Sequence, residues 1–394
     1  MKISYFHILQ NLEEEPSIEE ISKKLIQLGH ENTYHESILD IEFTPNRGDA
    51  LSLKGISRDL SVFYKLNKDK DIYEEPIEKL NINFTNSDKS ACPNISFLEI
   101  ELDEIPNSEY KDYLERYFVD LGIKKNNFFT DISNYLLYEL GQPTHCYDTR
   151  KMKSNITFKK LKEPGGFEAL NGKILSLQEG DYVFSSEDEL INLAGIMGGK
   201  RFSCSKSTAK VLVECAYFEP DSILGKSTKY NLNSEAAYRF ERGCDIDIHN
   251  EALRRFIRIV LDHTTISNLR IKTFDTGLRK NTVIPFDSLK ISEILGIDIP
   301  KLELTSILEK FGFKVNGHVT VPSFRSDVES LNDLAEEVAR AYGYDNIDRK
   351  KFKIKNLDSE SLVLQENLAP REERKEYIRY NLVKSGFTEV INFP

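Results

Sequence analysis

A glutamate inside an apolar strand is the residue of this sequence that most needs a partner. Glu214 sits in VLVECAYF, Val211–Phe218, with hydrophobic neighbours on both sides. An ionised carboxylate held out of water is costly unless it lies at a wet sheet edge or meets donors; either placement would account for it. A second polar group comes from DISNYLLYELGQPTHCYD, Asp131–Asp148, which carries Asn134 and His145. Histidine is the side chain that changes charge near neutral pH, and it also satisfies backbone carbonyls. LAGIMGG, Leu193–Gly199, adds three glycines where a backbone turns tightly or approaches a ligand closely, at a spacing that matches neither the dinucleotide nor the phosphate-loop fingerprint. LNSEAAYRFERG, Leu232–Gly243, supplies Ser234, Glu235 and a turn of helix, then Arg239, Glu241 and Arg242, which are expected to pair with one another at the surface. No Ser-His-Asp or Cys-His spacing points to a covalent nucleophile.

The elements that must position these groups follow from periodicity. Ile132, Tyr135, Leu136 and Leu140 form one helical stripe, with Ser133 as a candidate cap and Gly141 and Pro143 as the stop. That predicts a helix with Asn134 near its start and His145 in the loop beyond its end. ISFLEIELDEI reads as a strand and YKDYLERYFVDLGI as an amphipathic helix. ITFKKLK, GKILSL, DYVFSS, LINLAG and KVLVECAYF read as short strands of an antiparallel sheet, with the helix EALRRFIRIVLDHT packed over it. The fold class expected is α+β multidomain: a small N-terminal α/β domain over 1–75, an antiparallel-sheet domain over 85–280, a winged-helix-like domain over 281–350, and a linker with the opening of another module over 351–394. In the first of these, Asp49 is read as the cap of a helix facing inward through Leu53, Ile56, Leu60 and Phe63, and Arg47 and Arg58 as structural. The apolar stretch VINFP at the end reads as a strand start, so the natural chain is expected to continue.

At 394 residues the chain exceeds one ordinary core. A net charge of −11 argues against a surface that grips nucleic acid everywhere, although Lys151, Lys153, Lys159, Lys160 and Lys162, and Arg254, Arg255 and Arg258, form local basic runs. Five scattered cysteines without a CxxC pair indicate reduced thiols rather than a zinc site or a disulfide framework. No apolar run approaches a membrane span, and the first residues turn acidic where a signal peptide would need its cleavage site, so a cytoplasmic protein is expected.

Taken in order, TPNRGDALSLKGISRDL, DISNYLLYELGQPTHCYD, LAGIMGG, VLVECAYFEP, EAAYRFERG and SFRSDVESLNDLAEEVARAYGY resemble the motifs of the bacterial-type phenylalanyl-tRNA synthetase beta subunit. The resemblance runs the length of the chain. It implies a hydrolytic editing domain that removes tyrosine wrongly joined to phenylalanine tRNA, with site positions on Asn134, His145, Ala194, Gly195, Glu214, Ser234 and Ala236. Ser234 stands where the family commonly has threonine. It also implies magnesium-linked acidic positions on Asp327, Asp333, Glu336 and Glu337, an alpha subunit that carries the ATP-dependent aminoacylation site, tRNA(Phe) as partner, and an alpha2-beta2 heterotetramer. An inserted oligonucleotide-binding domain common in the family has no counterpart between the first helix and LDIEFTP, and the family's later catalytic-like and anticodon-binding modules would lie beyond Pro394.

Physical reasoning agrees with that implication. An apolar pocket rejects an added hydroxyl only weakly, by about a hundredfold. A second site that offers Glu214 and His145 to a phenol inverts the selection, because phenylalanine would leave buried polar groups unpaired. Asn134 and the amides near Gly195 are the expected holders of the ester carbonyl and an attacking water. Two other readings stay open here: a non-enzymatic tRNA- or protein-binding relative, and a free-standing aminoacyl-tRNA deacylase.

Overall fold

The computed structural model describes residues 1–67, 71–107, 109–153, 155–279, 282–348 and 359–391. The chain divides into two units, 1–347 and 348–394. Unit 2 is a helix, Ser359–Lys384, followed through residue 391 by chain without regular structure. The strand expected from VINFP is not formed at Val390 or Ile391, and its last three residues lie outside the described ones; of the polar linker expected over 351–369, residues 351–358 lie outside them too and the rest is helical.

Unit 1 opens with a three-stranded antiparallel sheet, Lys2–Ser4, Ile38–Ile41 and Asn32–His35, with the middle-listed strand central. The helix Ile18–Gln27 covers it, started by a full capping box between Ser17 and Glu20. Leu53–Leu60 is also helical, but its cap is Ser52, whose hydroxyl accepts from the Gly55 amide, and not Asp49. Asp49 instead pairs with Arg47 and Arg58, the structural use expected of both arginines.

The central sheet runs Glu78–Lys79, Ile266–Asp275, Asn94–Leu102, Lys210–Tyr217, Thr144–Asp148. It is antiparallel except at the two-residue edge strand, which pairs parallel. A second five-stranded sheet runs Met197–Gly198, Glu189–Leu193, Tyr182–Ser186, Asn155–Lys160, Asn83–Asn86, again with one parallel pair at an edge. Residues 78–86 therefore supply an edge strand to each sheet. Side-chain alternation sorts the strand Lys210–Tyr217 between two cores. Val211, Val213 and Cys215 point to the core shared with the helices Phe128–Leu140 and His249–Leu261, and Leu212 and Ala216 point to the core shared with the second sheet. Glu214 lies on the second face, between them.

Farther along, the strands Val283–Pro285, His318–Thr320 and Lys314–Val315 make a small antiparallel sheet beside the helices Ser288–Leu295, Lys301–Lys310 and Leu331–Tyr342. This part is fastened to the N-terminal part by buried charges. Asp59, fully buried, accepts from His30 Nε2 at 2.9 Å, Arg47 Nη2 at 3.0 Å and Arg340 Nη1 at 2.8 Å. Arg340 also donates to Glu337, and Glu337 accepts two further bonds from Arg325. All five cysteines are free, and among the described residues no helix is long and apolar enough to cross a membrane.

Candidate functional site

The helix carrying Asn134 spans Phe128–Leu140, one turn more at its start than expected. Its cap is Asn127, whose side chain accepts from the Thr130 amide, and Gly141 closes it at φ +76°. Ser133 is therefore interior, and its hydroxyl reaches Thr144 at 2.7 Å. Asn134 lies mid-helix. The chain then turns through Pro143 and enters a strand, so His145 is the second residue of Thr144–Asp148 and not a loop residue. The error came from reading the helix stop as the start of a loop, when THCYD is too short to show alternation by itself.

Strand pairing brings the two main residues together. In the ladder between Thr144–Asp148 and Lys210–Tyr217, His145 is directly opposite Glu214. Directly opposed residues share a face of the sheet, with Cβ atoms about 4.5–5.5 Å apart. Glu214 is thus on an inner strand, buried, and not at an edge. Its partner is Tyr147, whose hydroxyl donates to Oε2 at 2.5 Å; the Asn192 amide donates to the same oxygen at 3.4 Å and to the tyrosine oxygen at 2.9 Å. Burial raises the Glu214 carboxyl to about 7, against the opposing pull of those two donors. Burial also lowers His145 to about 4, so the ring is neutral at pH 7. Its Nε2 is covered and has no hydrogen-bond partner, and its ring meets Tyr147 edge-on at 4.5 Å.

Two cavities open on this pair. A recess of about 60 Å³ is lined by Glu214, Asn192, His145, Gly195, Gly198 and Ala236 among others. A larger one of about 220 Å³ is lined by Asn134, Ser234, His145, Gly198 and Ala236 among others. His145, Gly198 and Ala236 line both, so the two cavities adjoin at the imidazole, with Glu214 on the smaller one alone. Gly195 turns the hairpin between Glu189–Leu193 and Met197–Gly198 at φ +69°, a conformation that favours glycine. Ser234 caps the helix Glu235–Phe240 through the Ala237 amide and donates to the Ile196 carbonyl at 2.6 Å, tying that helix to the turn. Ala194 is buried in the hydrophobic core.

Asn134, His145, Gly195, Glu214, Ser234 and Ala236 therefore line two adjoining cavities with His145 and Ala236 between them, Asn134 on the larger and Gly195 on the smaller. Sequence reasoning missed Tyr147, Asn192 and Gly198. Tyr147 is two residues from His145, hence on the same face, but only once the segment is known to be a strand. Asn192 carried the same signal as Glu214, a polar group in an apolar run. Arg239 departs from its expected surface role: it is buried and binds the Leu51 carbonyl and Glu235.

The four acidic residues implied for magnesium line one cavity of about 190 Å³, and within this chain three of them are already engaged by other groups. Asp327 meets Arg325 with both oxygens, at 2.8 and 2.9 Å. Glu337 meets Arg325 and Arg340 with both of its own. Asp333 is spent in the capping box of Leu331–Tyr342, and Glu336 faces solvent. Among the described residues no cluster of three or more His, Cys, Asp or Glu is arranged to hold a metal. A hard cation needs oxygens that are not already neutralised. Millimolar Mg²⁺ is accordingly expected to leave the thermal midpoint of the chain unchanged, and a saturable rise would show that a site exists.

The arginine run, and Lys153 of the lysine run, are similarly engaged within the chain. Arg255 binds Glu139 and Asp71, Arg258 binds Asp71 and Asp262, and Lys153 binds Glu187.

Residues 97–265 match the family described as the B3/4 domain, and residues 284–344 the tRNA synthetase B5 domain. The phenylalanine–tRNA ligase beta subunit of Psychrobacter arcticus is 32% identical over 325 residues, 79% of this chain and 40% of that protein. The corresponding subunit of Rickettsia felis is 30% identical over 393 residues, 90% and 46%. This chain spans less than half the length of these relatives. Among solved structures, an N-terminal fragment of the phenylalanyl-tRNA synthetase beta-subunit from Pyrococcus horikoshii is similar with a TM-score of 0.48 and 13% identity, covering 87% of this chain and 99% of the fragment.

Proposed function

The chain belongs to the phenylalanine–tRNA ligase beta-subunit family, and from that premise we propose that its cleft hydrolyses tyrosine misattached to tRNA(Phe). The aminoacylation site, with its ATP and magnesium, is assigned to an alpha subunit. Supporting attachment of phenylalanine, as part of an alpha2-beta2 heterotetramer in the cytoplasm, is the wider role of the chain. Residues 85–280 are the editing module in this reading.

One observation carries the reading: a buried carboxylate and a neutral imidazole stand opposite each other on one sheet face and open on a shared cleft. The recess beside Glu214 suits the phenol end of a tyrosyl group, where a carboxylate accepts the hydroxyl proton. Phenylalanine offers no such donor, and would leave the second carboxylate oxygen, Oε1, dry and unpaired. The ester then falls in the larger half, beside Asn134. Its amide is a donor for the carbonyl oxygen as charge develops there, while the neutral imidazole of His145, which lines both cavities, positions the water that attacks. Reaction by water needs no covalent intermediate. Hydrolysis yields tyrosine and free tRNA.

Glu214→Ala is expected to slow hydrolysis of Tyr-tRNA(Phe) roughly 100-fold and to leave Phe-tRNA(Phe) as stable as before. The check is release of labelled tyrosine by the chain assembled with its alpha subunit. Unchanged release would remove Glu214 from the site. A non-catalytic binding relative would show no release from the parent chain either, and a free-standing deacylase would show full release without the alpha subunit.

A further inference from the structure

The carboxylate assigned to the substrate phenol already holds a phenol of the chain itself. Tyr147 is fully buried, lies on the same strand face as His145, and donates to Glu214 Oε2 at 2.5 Å. Asn192 closes a triangle by donating to both. Both hydrogen bonds end on Oε2, and among the described residues no donor reaches Oε1. Asn192 and Glu214 line the small recess, whereas Tyr147 stands behind its wall.

We propose that Tyr147 is a positioning residue for hydroxyl recognition: with Asn192 it pins Glu214 through Oε2 and leaves Oε1 as the acceptor turned to the hydroxyl of an incoming aminoacyl group. This rests on the editing reading of the cleft and names the residues that set its selectivity. A glutamate without such a lock has three rotatable bonds in a small cavity, and ordering it on binding would cost part of the discrimination. The lock also selects the charge state. A donor to a carboxylate favours its ionised form, so Tyr147 works against the burial that raises Glu214. The other titratable groups around Glu214 supply no compensating cation. His145 is neutral near pH 7, and burial raises the thiols of Cys92, Cys146 and Cys215, keeping them protonated.

The test uses the full chain with its alpha subunit and compares the parent with Tyr147→Phe and Glu214→Gln. Tyr147→Phe is expected to raise KM for Tyr-tRNA(Phe) about tenfold while changing kcat less than about threefold, and to move the acidic limb of kcat/KM upward by about one pH unit. A purely structural role would not move that limb. If Glu214→Gln abolishes hydrolysis but Tyr147→Phe leaves KM and the limb in place, the proposal is wrong and the editing reading survives. If the parent does not hydrolyse Tyr-tRNA(Phe), the editing reading fails. The lock is then read without substrate, as the pH at which the Glu214 carbonyl stretch, identified by its loss in Glu214→Gln, appears in infrared difference spectra. An upward move in Tyr147→Phe supports the lock, and no move overturns it.

Discussion

Asp59→Ala will destabilise unit 1 by about 3–5 kcal/mol, the cost of breaking a buried ion pair by removing one partner. Asp59 is the node where His30, Arg47 and Arg340 meet, and Arg58 stands within 3.9 Å. Deleting the carboxylate leaves guanidinium groups buried with less than their share of negative charge. Asp49 stays with Arg47 and Glu337 with Arg340, but each of these carboxylates is already shared with a second guanidinium, Arg58 and Arg325. Urea unfolding of the chain reads the loss as a lower midpoint. Because Asp59 lies in the N-terminal part and Arg340 in the helix Leu331–Tyr342, amide exchange in that helix should quicken as well. A loss below about 1 kcal/mol would mean that the network is not a fastening.

The same network fixes the pH dependence of that difference. The arginines hold the Asp59 carboxyl well below the usual carboxylate range even though burial pushes the other way, and they bring Asp49 and Glu337 to about 2. For a carboxylate depressed in the folded state, the stabilisation is complete above its unfolded value, near 4, and is lost as pH falls from there through the folded value. The gap between parent and Asp59→Ala should therefore be full at pH 5 to 7 and shrink below about pH 4. A gap that stayed constant to pH 2 would assign the effect to packing alone.

How far the sequence revealed this molecule depended on the range of each contact. Helices with clear stripes, such as His249–Leu261, and strands bounded by turn residues were legible because their signals are local. The residues of the cleft could be proposed one at a time from polar groups in apolar runs and from the family's motifs. Their juxtaposition could not, because His145 faces Glu214 through a register between strands 69 positions apart, and no local pattern fixes such a register. The arginine partners of Glu337 and Asp327 were hidden for a different reason, since they are near in sequence. An acidic helix start looks the same in sequence whether it awaits a cation or is already neutralised by guanidinium groups from the preceding turn and from its own helix. Tyr147 was missed because one error, a loop assigned where a strand forms, removed the alternation that would have put it beside His145.

Gly198→Ala is expected to reduce Tyr-tRNA(Phe) hydrolysis by more than about 100-fold while the chain stays folded. A Cβ built on Gly198 would overlap His145 Cε1 and lie 2.5 Å from Nε2, against the ring that both halves of the cleft share. Contacts that short force something to move. The backbone at Gly198 is in a region open to any residue, so the cost of alanine is contact with the ring and not strain in the chain. The ring has little room to yield. Tyr147 meets it edge-on at 4.5 Å, and Tyr147 is itself held by Glu214 and Asn192. Moving the imidazole therefore either displaces the Tyr147 lock or swings Nε2 into the space meant for substrate, and both spoil the geometry that positions water and ester. The stability cost should be about 1–3 kcal/mol, the range for overpacking a core. Gly166→Ala, at a glycine whose added Cβ meets nothing within 4 Å and whose φ lies outside the left-handed region, serves as the control for glycine replacement in general and should leave hydrolysis unchanged. If Gly198→Ala hydrolyses Tyr-tRNA(Phe) at the parent rate, the imidazole does not need its present position. His145 would then be a wall of the cleft and not a participant in the reaction.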